Sequence, residues 1–180
     1  VKTLNVFGTS QKFEELSAKE KSQLFKRTNT LGINLSGIKY PVKYLLFSDC
    51  GIAQQVVENK YYLGKKILTN QHCFEGYFKN IKDAQTELIF EPNNIQDSVG
   101  NSAFFAIWYA VQFGYDKVNL FGVLDDDETN YEELANGMTR YYNALADIQH
   151  TMWTKDHNYM KWIIETGYGD KIKICQPLKH

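Results

Sequence analysis

The sequence predicts an α/β fold, one domain with a mainly parallel sheet of about five to seven strands flanked by helices. Three observations carry this. Residues 98–124 read as polar loop, apolar helix, glycine, short strand, glycine, which is one αβ half of an open sheet. Several short apolar runs end in small polar residues: Leu4 to Phe7 before Gly8-Thr9-Ser10, Thr30 to Leu35 with Asn34 and Ser36, and Tyr44 to Phe47 before Ser48-Asp49. No linker, repeat or low-complexity segment divides the 180 residues, a length suited to one packed core.

In the organising unit, Ser98, Gly100, Asn101 and Ser102 suit a loop and helix N-cap. Ala103 to Phe113 contains no Gly, Pro or charge, enough for about three turns of buried helix. Gly114 stands where a C-terminal glycine adopts the left-handed conformation at little cost. Val118 to Phe121 is a short buried strand ending at Gly122. The start of the helix and the end of the strand are expected at opposite edges of the unit. A ligand is expected at the carboxyl edge of the strands, near Gly122 to Asp127.

In chain order, Leu4 to Phe7 is a strand whose Gly8-Thr9-Ser10 end is either a phosphate cradle or an ordinary helix cap. Phe13 to Lys26 reads as one or two surface helices. Asp49 can bond a ribose hydroxyl or cap the helix Gly51 to Asn59. Lys65 and Lys66 are either phosphate-neutralising or solvated on a loop before the strand Ile67 to Thr69. His72, Cys73, Phe74, Tyr77 and Phe78 form a cluster without an assigned role, and Glu87 to Phe90 is a further strand. Asp125, Asp126, Asp127 and Glu128 are either a site for a divalent cation such as Mg²⁺ or an acidic turn before the helix Tyr131 to Gln149. A helix Asn158 to Thr166 and a last strand, Ile172 to Cys175, close the fold.

Composition is that of an ordinary globular chain, 43% hydrophobic and 23% charged. The net charge of −1 hides an asymmetry: residues 1–82 carry 13 Lys/Arg against 6 Asp/Glu, and residues 83–180 carry 7 against 15. A lysine-rich first half suits either an anionic ligand or a solvated face. Cys50, Cys73 and Cys175 are widely spaced, with no zinc-binding pattern, so free thiols and a cytoplasmic location are expected. No apolar run approaches the roughly 20 residues of a membrane span, and no signal peptide is expected. The 14% aromatic content means either a stacking pocket or a tyrosine-rich core periphery.

Asn101 to Leu124 is similar, without a gap, to the core of the bacterial sialyltransferases that build lipooligosaccharide outer sugars. There a Thr-Ser-Gly loop, an alanine-rich helix, Leu-Gly-Tyr, a strand and Gly-Ile-Asp occupy the spacing of Asn101-Ser102-Ala103, Phe113-Gly114-Tyr115 and Gly122-Val123-Leu124. The pattern is shared with motility-accessory proteins that help glycosylate flagellin and with an archaeal pterin pyrophosphokinase. Gly8-Thr9-Ser10 resembles the family's Gly-Pro-Ser, and Asn34 and Asp49 resemble its strand-end Asn and Asp. His150 with Asp156, then Ile172 to Pro177, resembles its His…Asp, helix and strand-Cys-Pro. The 24-residue block is the specific part; the other matches are at the level of pattern.

The resemblance implies a Rossmann-like, glycosyltransferase-A-like domain that binds a nucleotide-sugar donor. Gly8, Thr9, Ser10, Asn34, Asp49, Asn101, Ser102 and Gly122 would hold the nucleotide. His150, or His157, would act as general base on the hydroxyl of a glycan or other acceptor. Tyr131 would assist the departing phosphate. The family's Asp is absent at Leu124 or displaced to Asp125, and its Arg is Val99, while carboxylates are gained at Asp125 to Asp127. Those departures suit Mg²⁺-assisted departure of the nucleotide. They also suit two alternatives: a non-catalytic nucleotide-sequestering module and a pyrophosphokinase-like transferase. The sugar, base, acceptor and oligomeric state, whether monomer or homo-oligomer, stay open at this point.

Overall fold

A computed structural model describes residues 1–8, 16–26, 29–89, 102–121 and 171–175. Strands β1 (Thr3–Phe7), β2 (Thr30–Ile33), β3 (Tyr44–Phe47), β4 (Lys66–Thr69), β5 (Gln85–Leu88), β6 (Lys117–Phe121) and β7 (Lys173–Cys175) form one sheet. Its order is β5-β4-β3-β2-β1-β6-β7, and every neighbouring pair is parallel. The expected α/β fold with a parallel sheet is what this chain adopts. Parallel strands need crossovers. Among the described residues these contain α1 (Ala18–Phe25), α2 (Leu35–Lys39), α3 (Cys50–Glu58), α4 (Gln71–Cys73) running into a π-helical turn (Phe74–Phe78), and α5 (Ser102–Gln112).

Side-chain alternation assigns the two faces. Leu4, Val6, Leu31, Ile33, Tyr44, Leu46, Leu68, Val118 and Leu120 share a core with Phe105, Ala106, Ile107, Tyr109 and Ala110 of α5. The alternate residues Leu45, Phe47 and Ile67 pack on Ile52, Ala53 and Val56 of α3 and on Cys73 and Phe78. Phe7 and Phe121 stack 5.2 Å apart on that second face, with Leu24 and Phe25 of α1 against them. So α5 covers one face and α1 to α4 belong to the other. Right-handed crossovers require this, because the chain steps outward from β1 to β5 and then returns to the far side of β1.

On the face opposite α5, Asn5 and Asn119 stand in register on β1 and β6, almost wholly buried, and the Asn119 amide donates to Asn5 Oδ1 at 2.9 Å. The bond matches a buried donor with a buried acceptor where an unpaired one would cost about 1–3 kcal/mol. A one-residue slip would put amides against the apolar face, so the pair pins β1 to β6.

Helix α5 has its glycine stop. Gly114 has φ 67°, Tyr115 N–H donates to Ala110 C=O at 2.9 Å, and Gly114 N–H to Val111 C=O at 3.4 Å. The same device ends α3, where Lys60 takes the left-handed position at φ 55° and Tyr61 N–H reaches Val56 C=O at 2.9 Å. Lys2 ties the chain start to the end of α5: its Nζ donates to Phe113 C=O at 2.6 Å and lies 4.2 Å from the centre of the Tyr115 ring. Tyr109 sits 5.8 Å from Tyr44 and 6.3 Å from Tyr115, all three buried, so these aromatics belong to the core rather than to a stacking pocket.

Several expectations shift. The second strand ends at Ile33, and Leu35 begins a helix instead of extending the strand. The fifth strand covers Gln85–Leu88, two residues earlier at its start than expected. The surface helix is α1, opened by a capping box in which Ser17 N–H donates to Glu20 Oε2 at 2.9 Å and Ser17 Oγ accepts from Glu20 N–H at 3.3 Å. The start of α5 and the end of β6 lie at the same edge of the sheet, not at opposite edges. A crossover helix runs antiparallel to its strands, so α5 begins where β5 ends, at the carboxyl edge.

Candidate functional site

The sheet order places a topological switch between β1 and β6, since β2 lies on one side of the pair and β7 on the other. Gly8, the first residue past β1, is bound from both sides. Its N–H donates to Phe121 C=O at 2.8 Å, and its carbonyl accepts from the fully buried Ser36 hydroxyl. Ser36 thus fastens the end of β1 to the junction of β2 and α2.

That junction is a sharp elbow. Asn34, between β2 and α2, has φ 52° and ψ −122°, a conformation that non-glycine residues rarely adopt. The turn is tight because Gly32 and Gly37 touch: a Cβ on Gly32 would lie 2.4 Å from Gly37 Cα, and one on Gly37 would lie 2.6 Å from Gly32 C=O. Such a strand–turn–helix elbow presents its apex side chain at the top of a sheet. At this apex is an amide. Asn34 Oδ1 is buried and has no hydrogen-bond partner among the described residues. The elbow thus combines a strained backbone with an unmatched buried acceptor.

The next strand ends add a cleft, lined by Leu46, Phe47, Ser48, Thr69, Asn70 and Ile89 from the carboxyl ends of β3 to β5 and by Phe105 from the first turn of α5. Its exposed lining is almost wholly apolar, and its free volume is about 10 Å³, room for one water molecule. Asn70 is committed to the fold, since its Oδ1 accepts from Cys73 N–H at 2.9 Å and its amide donates to Ser48 C=O at 3.1 Å. Asp49 takes the capping role, accepting from Gly51 N–H through Oδ1 at 2.8 Å. Ser102 lies buried at the start of α5 on this same edge.

Of the residues expected in the site, Gly8, Asn34, Asp49 and Ser102 are therefore at one edge of the sheet, and Gly8 and Asn34 are linked through Ser36. Thr9, Ser10, Asn101, Gly122, Asp125, Asp126, Asp127, Tyr131, His150 and His157 lie outside the described residues. Among the described residues, no group of three or more His, Cys, Asp or Glu could hold a metal ion. No described helix is long and apolar enough to cross a membrane.

The two lysines expected on phosphate or in solvent both have protein partners. Lys65 Nζ donates to Tyr40 C=O at 2.9 Å, Ile38 C=O at 3.3 Å and Gly37 C=O, closing the end of α2, and burial pushes its pKa down to about 8. Lys66, at the amino end of β4 and away from the carboxyl edge, pairs with Glu87 of β5. The unassigned cluster at His72 to Phe78 also finds a place, as Asn70 caps α4 and Cys73 and Phe78 enter the core.

Ser36 is expected among the polar strand-end residues, but its bond to Gly8, the Gly32–Gly37 contact and the wall formed by Ile89 and Phe105 are not. A usable signal was present in Gly32-Ile33-Asn34-Leu35-Ser36-Gly37, where glycines bracket a polar residue at a strand end. No family model, curated protein or solved structure matches this chain.

Proposed function

We propose that the carboxyl edge of the sheet binds a nucleotide or nucleotide-sugar, and that the chain is a glycosyltransferase-like enzyme moving the sugar to an acceptor hydroxyl. The observation that carries the binding half is Asn34. Its buried acceptor sits on a strained elbow beside the β1–β6 switch, where open parallel sheets take their ligands. An amide oxygen suits a ribose hydroxyl or the exocyclic amine of a base. The chemical half rests on the resemblance of residues 101–124 to sialyltransferase cores. On that reading His150 takes the proton of the acceptor hydroxyl and Tyr131 assists the leaving phosphate, with Mg²⁺ held at Asp125 to Asp127 if the departure is metal-assisted.

A thermal-shift panel of nucleotides and nucleotide-sugars, with and without Mg²⁺, tests binding. A ligand at 100 times its Kd stabilises by about 2.7 kcal/mol, and the shift should vanish in Asn34→Ala. If no nucleotide shifts the wild type, the proposal fails. If a nucleotide binds but no nucleotide-sugar is consumed, the edge is a sequestering module. His150→Ala should abolish turnover and leave the thermal shift intact.

A further inference from the structure

We propose that Cys50 and Cys73 are a paired dithiol that closes to an intramolecular disulfide by exchange with a low-molecular-weight disulfide of the glutathione class. The two thiols belong to different crossovers, 23 residues apart in sequence, yet the fold brings their sulfurs to 4.0 Å. Cys50 is the first residue of α3 and Cys73 the last of α4, so the bond would join the segments that follow β3 and β4. Those segments supply Ser48 and Asn70 to the cleft wall. A disulfide needs its sulfurs at about 2.05 Å, so closure requires a further approach of roughly 2 Å. Rotation of Cys50 at the half-buried helix start can supply part of it.

Accessibility fixes the order of events. Cys50 is partly exposed and Cys73 is fully buried, so the small disulfide meets Cys50 first. The Cys50 thiolate attacks one sulfur of the reagent, breaking its S–S bond and releasing one thiolate, which takes a proton from water. The Cys73 thiolate then attacks Cys50 Sγ, breaking the mixed disulfide and releasing the second thiolate. The two cysteines lose two electrons and two protons in all, and the reagent is reduced to two thiols. Burial, with Cys50 beside it, pushes the Cys73 thiol up to about 12. Ring closure therefore accelerates with pH, because only the thiolate attacks.

The test is incubation of the intact protein with mixtures of oxidised and reduced glutathione. Titratable thiols should fall from three to one, and peptide mapping should recover Cys50 joined to Cys73. In Cys73→Ala the glutathione adduct on Cys50 should accumulate, because nothing resolves it. In Cys50→Ser the buried Cys73 should stay reduced. The proposal is overturned if the wild type keeps three thiols in fully oxidised glutathione. A stable glutathione adduct on wild-type Cys50, or a bond to Cys175, overturns it equally. Because both readouts are covalent masses, a Cys73→Ala variant that folds poorly leaves the wild-type result decisive.

Discussion

Replacing Asn34 by glycine should stabilise this protein while removing its ligand. Three terms set the magnitude. The backbone at φ 52°, ψ −122° lies outside the ordinary regions for a side-chain-bearing residue, and such strain costs about 1–3 kcal/mol. The buried Oδ1 lacks a partner among the described residues, and an unmatched polar atom costs about 1–3 kcal/mol. Glycine opposes these by about 0.5–1 kcal/mol through the larger freedom of its unfolded chain. The net expectation is a gain of about 3 kcal/mol, or roughly 6–12 °C in melting temperature at this chain length. Urea denaturation of wild type, Asn34→Gly and Asn34→Ala measures it. Alanine removes the amide but keeps a Cβ in the strained conformation, so the difference between the two variants is the strain less the added unfolded-state freedom of glycine. A glycine variant less stable than wild type by 1 kcal/mol or more would refute the reasoning. Stabilisation together with loss of any nucleotide-induced shift would mark Asn34 as a residue kept for binding at the expense of stability.

The Gly32–Gly37 contact should be intolerant of a methyl group. Gly37→Ala would place its Cβ 2.2 Å from Leu45 Cδ1 and 2.6 Å from the Gly32 carbonyl, and a loss of about 3 kcal/mol in urea denaturation is expected. The two helix stops should respond in opposite directions. Gly114→Ala should lower stability by about 1 kcal/mol and Lys60→Gly should raise it by about 0.5–1 kcal/mol, because both positions have positive φ. Lys65 gives a pH signature: burial sets its pKa near 8 in the folded state, below the free-lysine value of about 10.4. Between those values the unfolded chain binds more protons, so this group's contribution to stability rises with pH. Lys65→Met should flatten that rise in denaturation curves taken from pH 7.5 to 10; an unchanged slope would show that the three carbonyls hold the ammonium charged.

What the sequence by itself determined is local and periodic. The strands Leu4 to Phe7, Tyr44 to Phe47 and Val118 to Phe121 announce themselves as short apolar runs closed by small polar residues, and β1, β3 and β6 fall on them. The helix from Ser102 and its stop at Gly114 follow from an uncharged apolar stretch and the one residue type that takes positive φ without cost. That Gly8, Asn34, Asp49 and Ser102 share an edge follows from these elements once the strands are parallel. Only the tertiary structure decided the rest. Lys60 ends a helix as glycine does, and its side chain gives no sign of it. Lys65 and Lys66 look alike in sequence, yet one closes α2 and the other pairs with Glu87. The pairing of Asn5 with Asn119 and the approach of Cys50 to Cys73 depend on strand order. The physical reason is separation along the chain. Propensity and hydrophobic period act over a few residues, whereas the partner of a buried amide, ammonium or thiol is chosen by which strands and loops become neighbours. Asn34 stands at the boundary: its residue type hinted at binding, and the two glycines that bend the backbone beneath it made it the apex.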